Sequence, residues 1–195
     1  MERRGEIPRV THDDGTLESD ESLLRHRKRY SIKAVGRGSK CTAETDTGHV
    51  LKTDVPKKMG GDDSAPQPVG HLLTALVGCS QATAIFVGRS MIPRLSIDRI
   101  EFDLDAYRDD RGAVRFPIDV APDVPSRLRR VFGTAKVFSA DGASIRDDRL
   151  KILREQTEAR CPVGNMMTAS GCAVDIDWVD GWAGAGTGTG TVGRS

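Results

Sequence analysis

Residues 64–88 contain no Asp, Glu, Lys or Arg, although 29% of the 195-residue chain is charged. A run of this length without charge has two homes, a lipid bilayer or a protein interior. Gly70, His71, Thr74, Gly78, Ser80, Gln81 and Thr83 interrupt it, and a lone span tolerates so many poorly, so the expectation is a buried helix of a soluble protein. Pro66 and Pro68 stand where a helix would begin, and a proline there forfeits only an N–H that has no helical partner. Leu72, Leu76, Cys79, Thr83 and Phe86 follow three- and four-residue steps. They are expected on one apolar face, which makes Cys79 an interior thiol in mid-helix.

Around this helix the periodicity is that of strands. Residues 30–37, 41–45 and 49–55 are strand-like runs separated by Gly36, Gly38 and Gly48, which predicts an antiparallel meander. Residues 97–107 alternate Ile100, Phe102, Leu104 and Ala106 with Asp103 and Asp105; with a turn at Asp109 to Gly112 and the run 114–120 they predict a hairpin with one wet face. Residues 128–139 give a further strand, and Ser144 is the expected N-cap of a helix reaching Arg160. On that helix Leu150, Leu153, Thr157 and Cys161 form a second stripe, which Pro162 interrupts by a break or a new helix start. Val174, Ile176 and Trp178 alternate with Asp175 and Asp177 in a closing strand. Strands, helix, strands, helix and strand in this order give an α+β fold rather than a wound parallel sheet.

The length fits one domain, here residues 30–180. A charged N-terminal arm, 1–29, is expected to be flexible or peripheral, and the Gly/Thr-rich stretch 181–195 is expected to be a disordered tail. The tail's glycines do not read as a phosphate loop, because no helix follows them. With 29 basic and 28 acidic residues the formal charge is +1, so neither nucleic acid nor an anionic membrane is expected as principal partner. The first residues, Met1-Glu2-Arg3-Arg4-Gly5-Glu6, lack the apolar core of a signal peptide, and four cysteines are too few for a disulfide scaffold. A reducing cytoplasm is the expected compartment. The cysteines form no C-x-x-C pair and the histidines no cluster, so a structural zinc site is not expected.

Chemistry then rests on individual thiols. Each of the two helices carries one, Cys79 and Cys161, and pattern alone leaves two readings: a redox pair, or small hydrophobes that pack. Cys161 precedes Pro162, and a thiol at a helix N-terminus is expected to ionise more easily; Arg37 lies in a glycine turn suited to approaching a thiolate. Cys41 and Cys172 lie in or beside strands and are expected to pack.

Longer motifs discriminate between the two readings. Asp54-Val55-Pro56, Gly60-Gly61, the run from Pro68 through His71-Leu72-Leu73 to Gly78-Cys79, and Cys161-Pro162-Val163-Gly164-Asn165 together resemble the OsmC/Ohr family. The resemblance implies an intertwined homodimer in which antiparallel sheets wrap around two central helices. It also implies a thiol peroxidase that reduces organic hydroperoxides in oxidative-stress defence without metal or flavin. Cys79 matches the attacking thiol, which becomes a sulfenic acid, and Cys161 the resolving thiol, which closes a disulfide later opened by a dithiol such as a lipoylated protein. Arg37 matches the arginine that favours the thiolate. The family's glutamate shortly after the helix-leading proline is absent: Val69 and Gly70 stand there, and His71 supplies no carboxylate. That absence keeps a second function in view, a weak or inactive relative that binds small apolar ligands or senses redox state.

Overall fold

The computed structural model describes residues 28–182, so the expected arm and tail lie almost wholly outside the described residues. The chain divides into two compact units at Pro68 and Val69. In the first, β1 (Ile32–Arg37), β2 (Lys40–Thr45) and β3 (Val50–Thr53) form the expected antiparallel meander, ordered β1-β2-β3. Arg37 pairs with Lys40 across a two-residue turn in which Gly38 takes φ +60°, a conformation open to glycine.

Beyond β3 the chain is gathered around one carboxylate. Asp54 has no exposure and accepts hydrogen bonds from Ser39 Oγ (2.8 Å), the Val55 N–H (2.8 Å), the Asp62 N–H (3.2 Å), and the Ser64 N–H (3.0 Å) and Oγ (2.8 Å). The backbone N–H of Ser64 leads the donors that hold this carboxyl far below the usual carboxylate range, against the opposing effect of burial. A side chain at Gly61 would put its Cβ 2.0 Å from the Val55 carbonyl oxygen, so only glycine closes this loop.

The second unit opens with α1 (Pro68–Ser90) and continues with β4 (Ile97–Arg108), β5 (Leu128–Ser139), α2 (Asp147–Arg160), α3 (Pro162–Ala169) and β6 (Ala173–Asp180). Its sheet is ordered β4-β5-β6. β4 and β5 are antiparallel, but β5 and β6 run parallel, so this sheet is mixed where antiparallel sheets were expected. The cause is the connection: two helices separate β5 from β6, and a helical crossover returns the chain in the same direction. Val131, Ala135 and Val137 of β5 meet Leu150 and Leu153 of α2 in the core. Trp178 of β6 stands edge-on to Phe102 of β4, with ring centroids 6.1 Å apart.

Three local expectations are corrected. The partner of β4 is β5, not residues 114–120: Pro117 offers no N–H to a ladder, and Phe116 and Ile118 stay exposed in a loop. Ser144 caps no helix. Its hydroxyl donates to Asp180, whose carboxylate also takes the Ile145 N–H, and α2 starts with Asp147 and Asp148 in its first turn. On α1 the buried side is Leu76, Ser80, Ala84, Val87 and Gly88, whereas Leu72 and Phe86 of the expected stripe are exposed. Cys79 is accordingly half-buried rather than interior. Against the described residues only those five of the 23 are buried, and α1 meets the length and hydropathy of a membrane-crossing helix. The second stripe is as expected: Leu150, Leu153, Thr157 and Cys161 are all buried, and β6 buries Ile176 and Trp178 while exposing Asp175 and Asp177.

Candidate functional site: two thiols at a helix junction

Pro162 ends one helix by starting another. With no N–H to continue α2 and a ring that fixes φ, it opens α3 at its first position and leaves Cys161 as the residue between them. Cys161 is thus the C-cap of α2 and the N-cap of α3; its N–H donates to the Thr157 carbonyl at 2.9 Å, while its Sγ accepts from the Gly164 N–H at 3.3 Å. Asn165 braces the junction by donating through Nδ2 to the carbonyls of Glu158 (3.1 Å) and Ala159 (3.3 Å), acceptors at the end of α2, and to that of Cys161 (2.8 Å), which also takes the Asn165 N–H. From α1, Ser80 Oγ lies 3.8 Å from Cys161 Sγ, and the Cys79 thiol is near enough to raise the pKa of Cys161.

These neighbours act on the Cys161 thiol in opposite directions. Burial, at 2% exposure, is the largest influence and raises its pKa; the Gly164 N–H lowers it, Cys79 raises it and Ser80 lowers it. The net shift is upward. The ease of ionisation expected from a helix N-terminus is therefore overridden by desolvation. Cys79, half-buried at mid-α1, is the more accessible partner.

Cys79 and Cys161 are thus brought together by the second unit. Arg37 belongs to the first, exposed at the end of β1. Val69 is exposed and Gly70 half-buried at the start of α1, with no atom within 4 Å of a Cβ placed at Gly70. Asp62 is ion-paired to Lys40 at 2.5 Å. Cys172 is 3% exposed, burial pushes its thiol up, and it donates to the Ala173 carbonyl; Cys41 is half-buried in β2. Among the described residues no cluster of three His, Cys, Asp or Glu side chains is placed to hold a metal ion.

Beside Cys161 the second unit encloses a cavity of about 270 Å³ between the α2–α3 junction, β6 and α1. Leu76, Ile176 and Trp178 give it apolar walls, and Ser80, Thr157 and Glu158 contribute polar ones. Burial raises the pKa of Glu158, although Arg154 opposes this. Sequence reasoning assigned no role to Asn165, Ser80 or Asp54. The first two had a usable signal, four residues after one thiol and one after the other; Asp54 was visible only as part of a motif.

Residues 61–177 match the sequence model of the OsmC-like protein family. No curated protein matches the chain. Among solved structures, an OsmC-like protein from Mycoplasma pneumoniae has a TM-score of 0.61 at 20% identity, covering 78% of this chain and 97% of its own. An OsmC-like protein of unknown function from Vibrio cholerae has a TM-score of 0.62 at 9% identity, covering 78% and 100%. An organic hydroperoxide resistance protein from Legionella pneumophila has a TM-score of 0.54 at 17% identity, covering 78% and 96%. The α+β fold is theirs, and Arg37 lies before the matched residues whereas both helix thiols lie within them. By the extent of that match, the chain belongs to the OsmC-like family.

Proposed function

We propose that this protein is a cysteine-based peroxidase that reduces organic hydroperoxides in the cytoplasm. The observation that carries the reading is the proximity of two unequal thiols, a half-buried Cys79 and a buried, capped Cys161 whose ionisation Cys79 affects. The Cys79 thiolate attacks the terminal oxygen of ROOH; the O–O bond breaks, the alkoxide takes a proton and leaves as ROH, and Cys79 becomes a sulfenic acid. The Cys161 sulfur then attacks the sulfenic sulfur, its proton leaves with the hydroxide as water, and a Cys79–Cys161 disulfide forms. A dithiol such as a lipoylated protein reduces that disulfide by two exchange steps and is itself oxidised. Arg37 is the cation assigned to favour the Cys79 thiolate.

The raised pKa of Cys161 suits the second role. A protonated thiol does not compete for peroxide and carries the proton that the departing hydroxide needs. The open sides of α1, with Val69, Leu72 and Phe86 exposed, support a homodimer in which a second copy covers them. The missing glutamate favours the alternative reading, a binder of small apolar ligands or a redox sensor with weak turnover. Turnover of cumene hydroperoxide with dihydrolipoamide separates the two. Consumption that Cys79→Ser abolishes is expected; no consumption above that variant's background contradicts the peroxidase.

A further inference from the structure

We propose that the charged face of the first unit's sheet, with the basic segment that leads into it, binds single-stranded nucleic acid through its phosphate backbone. The formal +1 of the chain is a sum of unlike parts: residues 22–53 hold eight Lys and Arg against two acids, Glu44 and Asp46, so the rest is acidic on balance. The strand register sorts these charges. Directly opposed residues share a face of a sheet, and side chains alternate along each strand. Arg37 is opposite Lys40, Lys33 is opposite Glu44, and Thr42 is opposite both Val35 and Lys52. Every charged residue of the three strands, Lys33, Arg37, Lys40, Glu44 and Lys52, therefore lies on one face, and all five are exposed. The other face, with Ile32, Ala34, Ala43 and Leu51, carries no charge.

Spacing and chemistry select the partner. The four cations spread over three strands about 5 Å apart and over about 13 Å along β1, so one small anion cannot meet them together, whereas a chain of phosphates can. Arg25, Arg27, Lys28 and Arg29 add four charges just before β1 in sequence, and guanidinium forks match phosphate oxygens. Tyr30 is 75% exposed with Lys28 Nζ 5.3 Å from its ring centroid, and an exposed ring beside a cation is a platform for a base. A bilayer is served less well. The apolar members of the charged face are Val35 and Val50, and neither is the long or aromatic side chain that anchors a surface in lipid. Lys40 is paired with Asp62 at 2.5 Å and Arg37 is assigned to the thiolate, so other cations carry the test. Neither thiol takes part in this binding.

Fluorescence anisotropy of a labelled single strand of about 20 nucleotides, mixed in sequence, reads the binding to the full chain. Wild type is expected to bind with an affinity that falls as salt rises. The double variants Lys33→Ala/Lys52→Ala and Arg27→Ala/Arg29→Ala are each expected to weaken binding several-fold and to flatten the log–log salt dependence by about 1.4. Tyr30→Ala is expected to weaken it at least about fivefold, and Tyr30→Phe to keep it. Glu44→Gln removes the one acid of the face and is expected to tighten binding, a gain that no unfolded variant mimics. No binding at about 50 mM salt, a salt dependence that the charge variants leave unchanged, equal competition by polyglutamate, or capture by phosphatidylglycerol vesicles without binding to the strand overturns the proposal.

Discussion

The helices α1 and α2 each bring one motif thiol to the same place, yet among the described residues only α2 has its apolar stripe covered. Along α2, Asp148, Lys151 and Glu155 are exposed on the side opposite the stripe of Leu150 and Leu153 that packs into the core, where Thr157 is also buried. Along α1 no charge appears before Arg89, and a minority of the helix is buried. The difference carries over to the thiols. Cys161, at the end of the completed helix, is sealed and capped; Cys79, on the unfinished one, keeps access to outside molecules. A thiol that meets a substrate and one that waits for it have different needs, and the two helices supply them.

The largest expected effect breaks the thiols apart. Cys79→Ser should lower hydroperoxide consumption to background, whereas Cys161→Ser should still consume about one equivalent per chain before stalling when no reductant is present. A single-turnover assay counts that equivalent. Equal loss in both variants would mean that the asymmetry has no chemical role.

Stability should divide the helices in the same way. Leu153→Ala empties a site with 0% exposure and is expected to cost about 2–5 kcal/mol in urea unfolding. Phe86→Ala, on the open side of α1, should leave the diluted monomer almost as stable while weakening self-association seen by light scattering. In the first unit, Asp54→Asn is expected to destabilise at neutral pH. The folded pKa of Asp54 is depressed, so its contribution is present above the ordinary carboxylate range and is lost as pH falls below it. The gap between variant and wild type should therefore close in acid.

A smaller change is expected at the start of α1. Gly70→Glu has open space for its side chain and should raise turnover several-fold if a carboxylate there steadies Arg37, and Arg37→Ala should lower it. Both are read as kcat/KM. Smallest is Ser80→Ala in a Cys79→Ser background. Ser80 opposes the effect of burial on Cys161, so its removal should move the alkylation midpoint of Cys161 up.

The same contrast explains what was legible in the sequence. The stripe on α2 could be read because charges mark its wet side, and β6 because aspartates alternate with Val174, Ile176 and Trp178. On α1 no charge marks a wet side, so the three- and four-residue steps through Leu72 and Phe86 chose a face rotated from the one that packs. The strand expected at 114–120 failed on a single residue, Pro117, whose missing N–H outweighs the apolar alternation around it. Of the candidate site, the buried place of Cys161 and the helix start at Pro162 were legible from local pattern, whereas Cys79, read as interior, is half-buried. The direction of the Cys161 shift was not legible, because burial is a property of the assembled core and outweighs the N-terminal donors.

The central claim is that Cys79 and Cys161 form one redox pair. Reduced protein treated with one equivalent of cumene hydroperoxide, alkylated and digested without reductant tests it directly. A Cys79–Cys161 linked peptide within one chain, at near-stoichiometric yield, is expected; both thiols recovered free, or Cys79 linked mainly to Cys41 or Cys172, would contradict it.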